Sequence, residues 1–172
     1  MKDGKDGLKE KDSHGMQQIT LMKVGHYSEL LMVKKIPESI FVKIKNNIPL
    51  SCVDIILKND KNEFLLVKRS IEPYKNRWCL PGGIVKRGEK LENKIKEIAK
   101  KELGITLQSW KPIGFYEKIY SSRHDISHCY TVTSKNKEIK LDFQAKDARF
   151  FSKIPKNTAK FHIKMLEDVG FR

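Results

Sequence analysis

LPGGIVKRGEKLENKIKEIAKKELGI, residues 80–105, joins a glycine turn, an acidic approach and one amphipathic helix. Over residues 89–103 the apolar side chains Leu91, Ile95, Ile98, Ala99 and Leu103 recur at steps of three and four, the spacing of one buried helix face. Glu102 falls on that face, four residues after Ile98 and seven after Ile95, so burying the isoleucines carries a carboxylate inward. A charge in that position is costly unless a cation meets it, either a divalent ion or a lysine that pairs with it. Gly104 stands where a left-handed residue ends a helix, and Pro81-Gly82-Gly83 lets the backbone turn tightly with a carbonyl exposed. A backbone carbonyl and a carboxylate together suit a hard divalent cation.

Other polar residues interrupt apolar surroundings. Asp54 breaks the strand-like run CVDIIL, where alternation places Cys52, Asp54 and Ile56 on one face and Val53, Ile55 and Leu57 on the other. It is either a site residue or part of a face open to solvent. Arg69 ends the next strand, and a planar guanidinium matches phosphate oxygens two at a time; the alternative is an ordinary strand-end arginine. The segment SSRHDISHCY, residues 121–130, carries His124 and His128 with Arg123 beside them. Histidine takes a proton from water near neutral pH, which makes this segment the expected source of a general base, and the choice between His124 and His128 stays open. Tyr116 is a core aromatic or a ring that contacts a base or sugar. Glu89 either supports the ion or answers the exposed amides at the helix start. Glu97 lies one step off Ile98 and points along another face, while His14, His26 and His162 carry only a structural or tail reading.

These residues in this order resemble the Nudix hydrolases, whose signature is Gly, five residues, Glu, seven residues, Arg-Glu-apolar-x-Glu-Glu-x-Gly-apolar. Gly83, Glu89, Ala99, Glu102, Gly104 and Ile105 fall in register, while Glu97, Ile98 and Lys101 stand where the signature has Arg, Glu and Glu. Residues 48 to about 130 carry the likeness, within which the chain resembles the branch that includes GDP-mannose mannosyl hydrolase and its archaeal relatives. The resemblance implies an α/β fold, a Nudix-type α/β/α sandwich with a mixed central sheet, and Mg²⁺, with Mn²⁺ as a substitute, beside a diphosphate. In that branch one ion serves and attack falls on the sugar carbon. It assigns metal ligation to the carbonyl of Gly82 and to Glu102, places Asp54 and Arg69 in the substrate site, and takes a later loop histidine as base; Glu89 as support for the ion and Arg123 and Tyr116 as substrate contacts are expected from their own positions. The branch has Arg where this chain has Ile84.

The remaining features set bounds. A chain of 172 residues is one domain with trimmings: a polar tail over 1–15, an extension with a short helix over 16–47, and a hydrolase domain over 48–172. Further strands are expected at 51–57, 64–68, 78–80, 109–119, 128–133 and 148–151, the first two joined as a hairpin, with a closing helix over 157–169. The 35 basic against 21 acidic residues favour an anionic partner, although the lysines are spread along the chain as on an ordinary solvated surface. No basic run is interleaved with aromatics, which argues against nucleic acid. Three scattered cysteines form no CxxC pair, and no apolar run approaches a membrane span or signal peptide, so a soluble cytoplasmic protein with reduced thiols is expected. The extension is placed to pack on a sheet edge or a second subunit, allowing a homodimer. The expected activity is Mg²⁺-dependent hydrolysis of a nucleoside diphosphate-linked small molecule, a nucleotide sugar such as GDP-mannose. Its rival is a Nudix-fold binding module without turnover.

Overall fold

Strands apolar on both faces need cover on both sides, and LSCVDIIL and FLLVKR are such strands. The computed structural model describes residues 36–120, 123–135 and 138–172; the expectations for the tail and for 16–35, with His14 and His26, lie outside these. Within them α1 (Glu38–Asn47) is followed by β1 (Leu50–Leu57), β2 (Phe64–Arg69), β3 (Trp78–Cys79), β4 (Gly82–Ile84) and α2 (Leu91–Leu103). Then come β5 (Leu107–Tyr120), β6 (Arg123–Ser134), β7 (Ala145–Phe151) and α3 (Lys160–Glu167). The mixed α/β architecture is the one the sequence predicts.

The expected mixed central sheet is present, and a second, smaller sheet stands beside it. A mixed sheet runs β4-β1-β6-β5, with β1 and β6 parallel, and an antiparallel sheet runs β3-β2-β7. The expected β1–β2 hairpin is reduced to one bridge, Lys58 to Phe64. Asn59 closes its turn by accepting the N–H groups of Lys61 and Glu63 at 3.0 and 2.9 Å, after which the strands separate to pair with different partners. Their alternation still lines up: Val53, Ile55, Leu57, Leu65 and Val67 pack under Ile95, Ile98, Ala99 and Leu103 of α2. On the opposite side Ile56, Phe64 and Leu66 meet Met165 and Leu166 of α3. Each fully buried side chain of this size contributes about 1.5–3 kcal/mol, so the two faces together hold the sandwich.

The end of α2 follows from its glycine. Gly104 adopts φ 68°, the left-handed region, and an added Cβ would lie 2.7 Å from that of Lys140. The start differs from expectation, because α2 begins at Leu91 and Glu89 stays in the preceding turn, accepting the Lys86 N–H at 2.9 Å. Residues 82–84, read as turn, form the edge strand β4. Lys94 departs from the solvated reading of the helix lysines: it is 6 % exposed, with Nζ 2.9 Å from Glu97 Oε2 and 3.6 Å from Glu89 Oε2. Although burial pushes Glu97 up, hydrogen bonds from Lys101 and Lys94 hold its carboxyl down at about 2. A cation one turn before residue 97 thus neutralises both acids. Among the described residues no helix is long and apolar enough to cross a membrane.

Replacing Lys94 by Met leaves Glu89 and Glu97 facing each other with only the exposed Lys101 and Lys86 to answer them. The variant is expected to lose about 2–3 kcal/mol in urea unfolding, with Lys94→Arg retaining most of the stability. Gly82→Ala is expected to lose about 3 kcal/mol in the same assay, because the new Cβ would lie 2.1 Å from Asp54 Oδ1 and 2.7 Å from the Val53 carbonyl oxygen.

Candidate active site

The β1–β4 pairing builds the site. Its ladder bonds run at alternate residues, Ile55 N–H to Pro81 O at 3.0 Å and Val85 N–H to Ser51 O at 2.9 Å. Gly82, lying between them opposite Asp54, therefore turns its own peptide groups away from β1. Its N–H acts on the Glu102 carboxyl and lowers it, and its carbonyl stays off the ladder on the same side. The absent Cβ leaves the room in which the Asp54 carboxylate sits.

Glu102 has no Lys, Arg or His partner among the described residues. Burial pushes its carboxyl up to about 8, Asp142 adds to the push, and the Gly82 N–H and Arg69 pull the other way. A half-buried acid without a cationic partner, near an off-ladder carbonyl, fits a hard divalent cation. Among the described residues no three His, Cys, Asp or Glu side chains are arranged to hold an ion. On the neighbouring Gly83 the ammonium of Lys94 and the side chain of Ile98 fill the approach, 3.7 and 4.0 Å from where a Cβ would stand. Glu89, predicted near the metal, is instead held by Lys94 and the Lys86 amide.

Gly82 also lines a cavity of about 240 Å³ with Asp54, Arg69, Tyr74, Arg123 and His162. Asp54 is 7 % exposed and accepts the Ser127 hydroxyl proton on Oδ2. Burial pushes it up to about 6 despite that bond, Asp125 pushing the same way and Arg123 and Arg69 opposing. Arg69 reaches the cavity while its Nε donates to the Pro73 carbonyl at 2.6 Å, tying down the loop over the site. The Arg123 Nε donates to Asp125 Oδ1 at 2.5 Å. Tyr74 and Tyr120, hydroxyls 2.7 Å apart, add an aromatic wall with Phe161.

Three predicted residues are not brought to this cavity. His124 and His128 occupy the opposite face of β6 from Arg123, Asp125 and Ser127. His124 Nε2 lies 2.7 Å from Glu117 Oε1, and His128 Nε2 lies 3.2 Å from Ser51 Oγ. Alternation explains both: β6 runs parallel to β1 with Cys129 beside Asp54, so odd-numbered residues share the face of Asp54. Tyr116 donates its hydroxyl to Asp168 at 2.9 Å, away from the cavity. The cavity histidine is His162, delivered by α3, whose approach is fixed by Trp78 N–H to Asn157 O at 3.1 Å and Ala159 N–H to Trp78 O at 2.9 Å. Nothing in the local pattern of residues 157–169 marks it. Asp142, whose charge pushes Glu102 up, lies between elements, where no periodicity marks it.

Comparison with known proteins agrees with this architecture. A family profile described as NUDIX domain matches residues 49–168. An ADP-ribose pyrophosphatase of Methanocaldococcus jannaschii is 33 % identical over 124 residues, 70 % of this chain and 72 % of that protein. A low-salt glycan biosynthesis protein of Haloferax volcanii is 27 % identical over 125 residues, 68 % of this chain and 80 % of that protein. Among solved structures, a MutT NUDIX hydrolase of Burkholderia pseudomallei superposes with a TM-score of 0.66 at 22 % identity, covering 72 % of this chain and 99 % of its own. The NUDIX domain of Shewanella oneidensis NrtR, solved with ADP ribose, gives 0.61 at 18 % identity over 78 % of this chain and 97 % of its own. The structural likenesses carry the fold, and the profile together with the methanogen relative carries the family: the chain belongs to the Nudix hydrolases.

Proposed function

We propose that this protein is a divalent-cation-dependent hydrolase of a nucleoside diphosphate linked to a second group, with a sugar as that group. The observation that carries the reading is Glu102, a half-buried carboxylate without a cationic partner among the described residues, near the peptide of Gly82 at the edge of an arginine-lined cavity. The relatives named for ADP-ribose hydrolysis and for glycan biosynthesis support a nucleoside diphosphate with an attached sugar. GDP-mannose is one member of that class. Buried reduced cysteines suit a cytoplasmic setting.

Glu102 and the Gly82 carbonyl would hold Mg²⁺, or Mn²⁺ in its place. When bound, such an ion supplies Lewis-acid stabilisation of the diphosphate charge. Arg69 and Arg123 keep fixed positive charge at the cavity wall, preorganised by the carbonyl and carboxylate that grip them. A cavity of about 240 Å³ takes the diphosphate and the reacting atom, leaving the rest of the substrate toward the mouth. Asp54 faces that space and accepts the proton of the attacking water, since His162 uses its Nδ1 lone pair on Leu80 and the other two candidate histidines face elsewhere. Attack at the sugar carbon yields a free sugar and a nucleoside diphosphate; attack at phosphorus yields two monophosphates. The single carboxylate favours the first.

One observation favours a second reading. Lys94 and Ile98 crowd the Gly83 approach, which would suit a module that binds nucleotide without turning it over.

Incubation with Mg²⁺ and a panel of nucleotide sugars in ¹⁸O water separates these. Label is expected in the sugar, and Glu102→Gln is expected to lower kcat/KM at least ~10³-fold, in the range seen when a central electrostatic group is removed. Tight binding without product for every substrate would favour the module.

The pH dependence follows from the raised Glu102. Its carboxyl is neutral in the folded, metal-free protein up to about 8 but ionises at its ordinary 4.5 in the unfolded chain. The folded state therefore binds the extra proton, and stability falls as pH rises from 4.5 to about 8. Metal binding expels that proton. Calorimetric titration with Mn²⁺ is expected to show about one proton released at pH 7 and affinity rising about tenfold per pH unit up to about 8, both absent in Glu102→Gln.

A further inference from the structure

His162, near the start of α3, is 6 % exposed and lies in the cavity wall rather than in the apolar core. The backbone N–H of Leu80 donates to its Nδ1 at 3.1 Å. A neutral imidazole has one protonated nitrogen and one with a lone pair, so this bond puts the proton on Nε2. That N–H faces Asp54 Oδ1 at 3.7 Å, while the Ser127 hydroxyl holds Oδ2. Burial, with the charges of Lys118 and Arg69 adding to it, lowers the ring to about 3, so it meets the acid as a dipole. Leu80 stands two residues before Gly82, above whose bare Cα the Asp54 carboxylate rests. One ring thus touches both the glycine turn and the acid that turn accommodates. A histidine serving only as a core filler would account for the Leu80 bond and leave its second nitrogen without a reason to face a carboxylate.

We propose that His162 is a positioning residue of this site: as the neutral Nε2–H tautomer it aims the Asp54 carboxylate across Gly82 into the cavity and anchors the glycine turn through Leu80. The proposal rests on the reading of the cavity as the hydrolytic site. It gives the C-terminal helix a part in the chemistry beyond closing the core.

Two substitutions separate positioning from packing. Asparagine reaches as far as Nδ1 and keeps an acceptor for Leu80, but has nothing at the Nε2 position; glutamine reaches that position with an amide N–H. His162→Asn is expected to fold and to lose at least tenfold in kcat with KM changed less than twofold. His162→Gln is expected to recover kcat to within about threefold of the parent even where its melting temperature is lower. Wild-type kcat in His162→Asn, or equal losses in the two variants, would overturn the proposal. ¹⁵N imidazole spectra of the unsubstituted protein give a second readout that needs no turnover. They are expected to show His162 neutral with the proton on Nε2 at pH 7, and that resonance is expected to move in Asp54→Asn. A proton on Nδ1, or a resonance indifferent to Asp54→Asn, would also overturn it. Absence of hydrolysis in the parent protein would count against the functional reading alone, with the spectra still deciding the His162–Asp54 contact.

Discussion

Two acids approach the peptide of Gly82 from different sides, and much of the molecule is arranged to make that approach tolerable. Asp54 comes from β1, into space that any side chain at position 82 would fill, and Glu102 comes from the end of α2, where the Gly82 N–H lowers its carboxyl. Neither acid is offset by a nearby lysine among the described residues, and burial raises both. Carboxylates drawn out of water in that state are expensive to keep, which is the physical reason to look for a cationic ligand and a proton-transfer role at this point. The supports converge there too: β1–β4 register sets Gly82 off the ladder, the α2 stripe carries Glu102 inward, and α3 brings His162 against Leu80.

The same helix shows what a compensated acid looks like. Glu89 and Glu97 lie on the other side of the turn, yet Lys94 sits between them and Lys101 braces Glu97 from outside. Glu97 is held low and Glu102 high within two turns of one helix, by the presence of an ammonium in one case and its absence in the other. The departures from the family signature at Glu97, Ile98 and Lys101 therefore form a working unit. A tethered cation and an apolar side chain occupy the approach to Gly83, while Asp54 takes the space beside Gly82.

The legible parts of this arrangement were local ones. The α2 stripe and the glycine stop at 104 follow from spacing within 15 residues, and the structure keeps both, with Glu102 half-buried beside the stripe. The strands were legible from β-branched runs, but their division into two sheets was not, because partner choice is long-range. The histidines show the limit most clearly. Proximity to a loop favoured His124 and His128, whereas the face each presents depends on the parallel register of β6 against β1, which no local pattern encodes. His162 was hidden for the same reason, since only the pairing of residues 157–159 with Trp78 turns its helix toward the cavity. Lys94 was obscured by composition: in a chain with 35 basic residues, one more helix lysine draws no notice until its burial is known.

The proposed divalent cation lies between Glu102 and the Gly82 carbonyl. Crystals soaked in Mn²⁺ and measured at the manganese absorption edge test it directly. A single anomalous peak within about 2.5 Å of a Glu102 carboxylate oxygen and the Gly82 carbonyl oxygen is the expected result. A peak between Glu89 and Glu97, or a Glu102 side chain without any peak beside it at saturating Mn²⁺, would contradict the account.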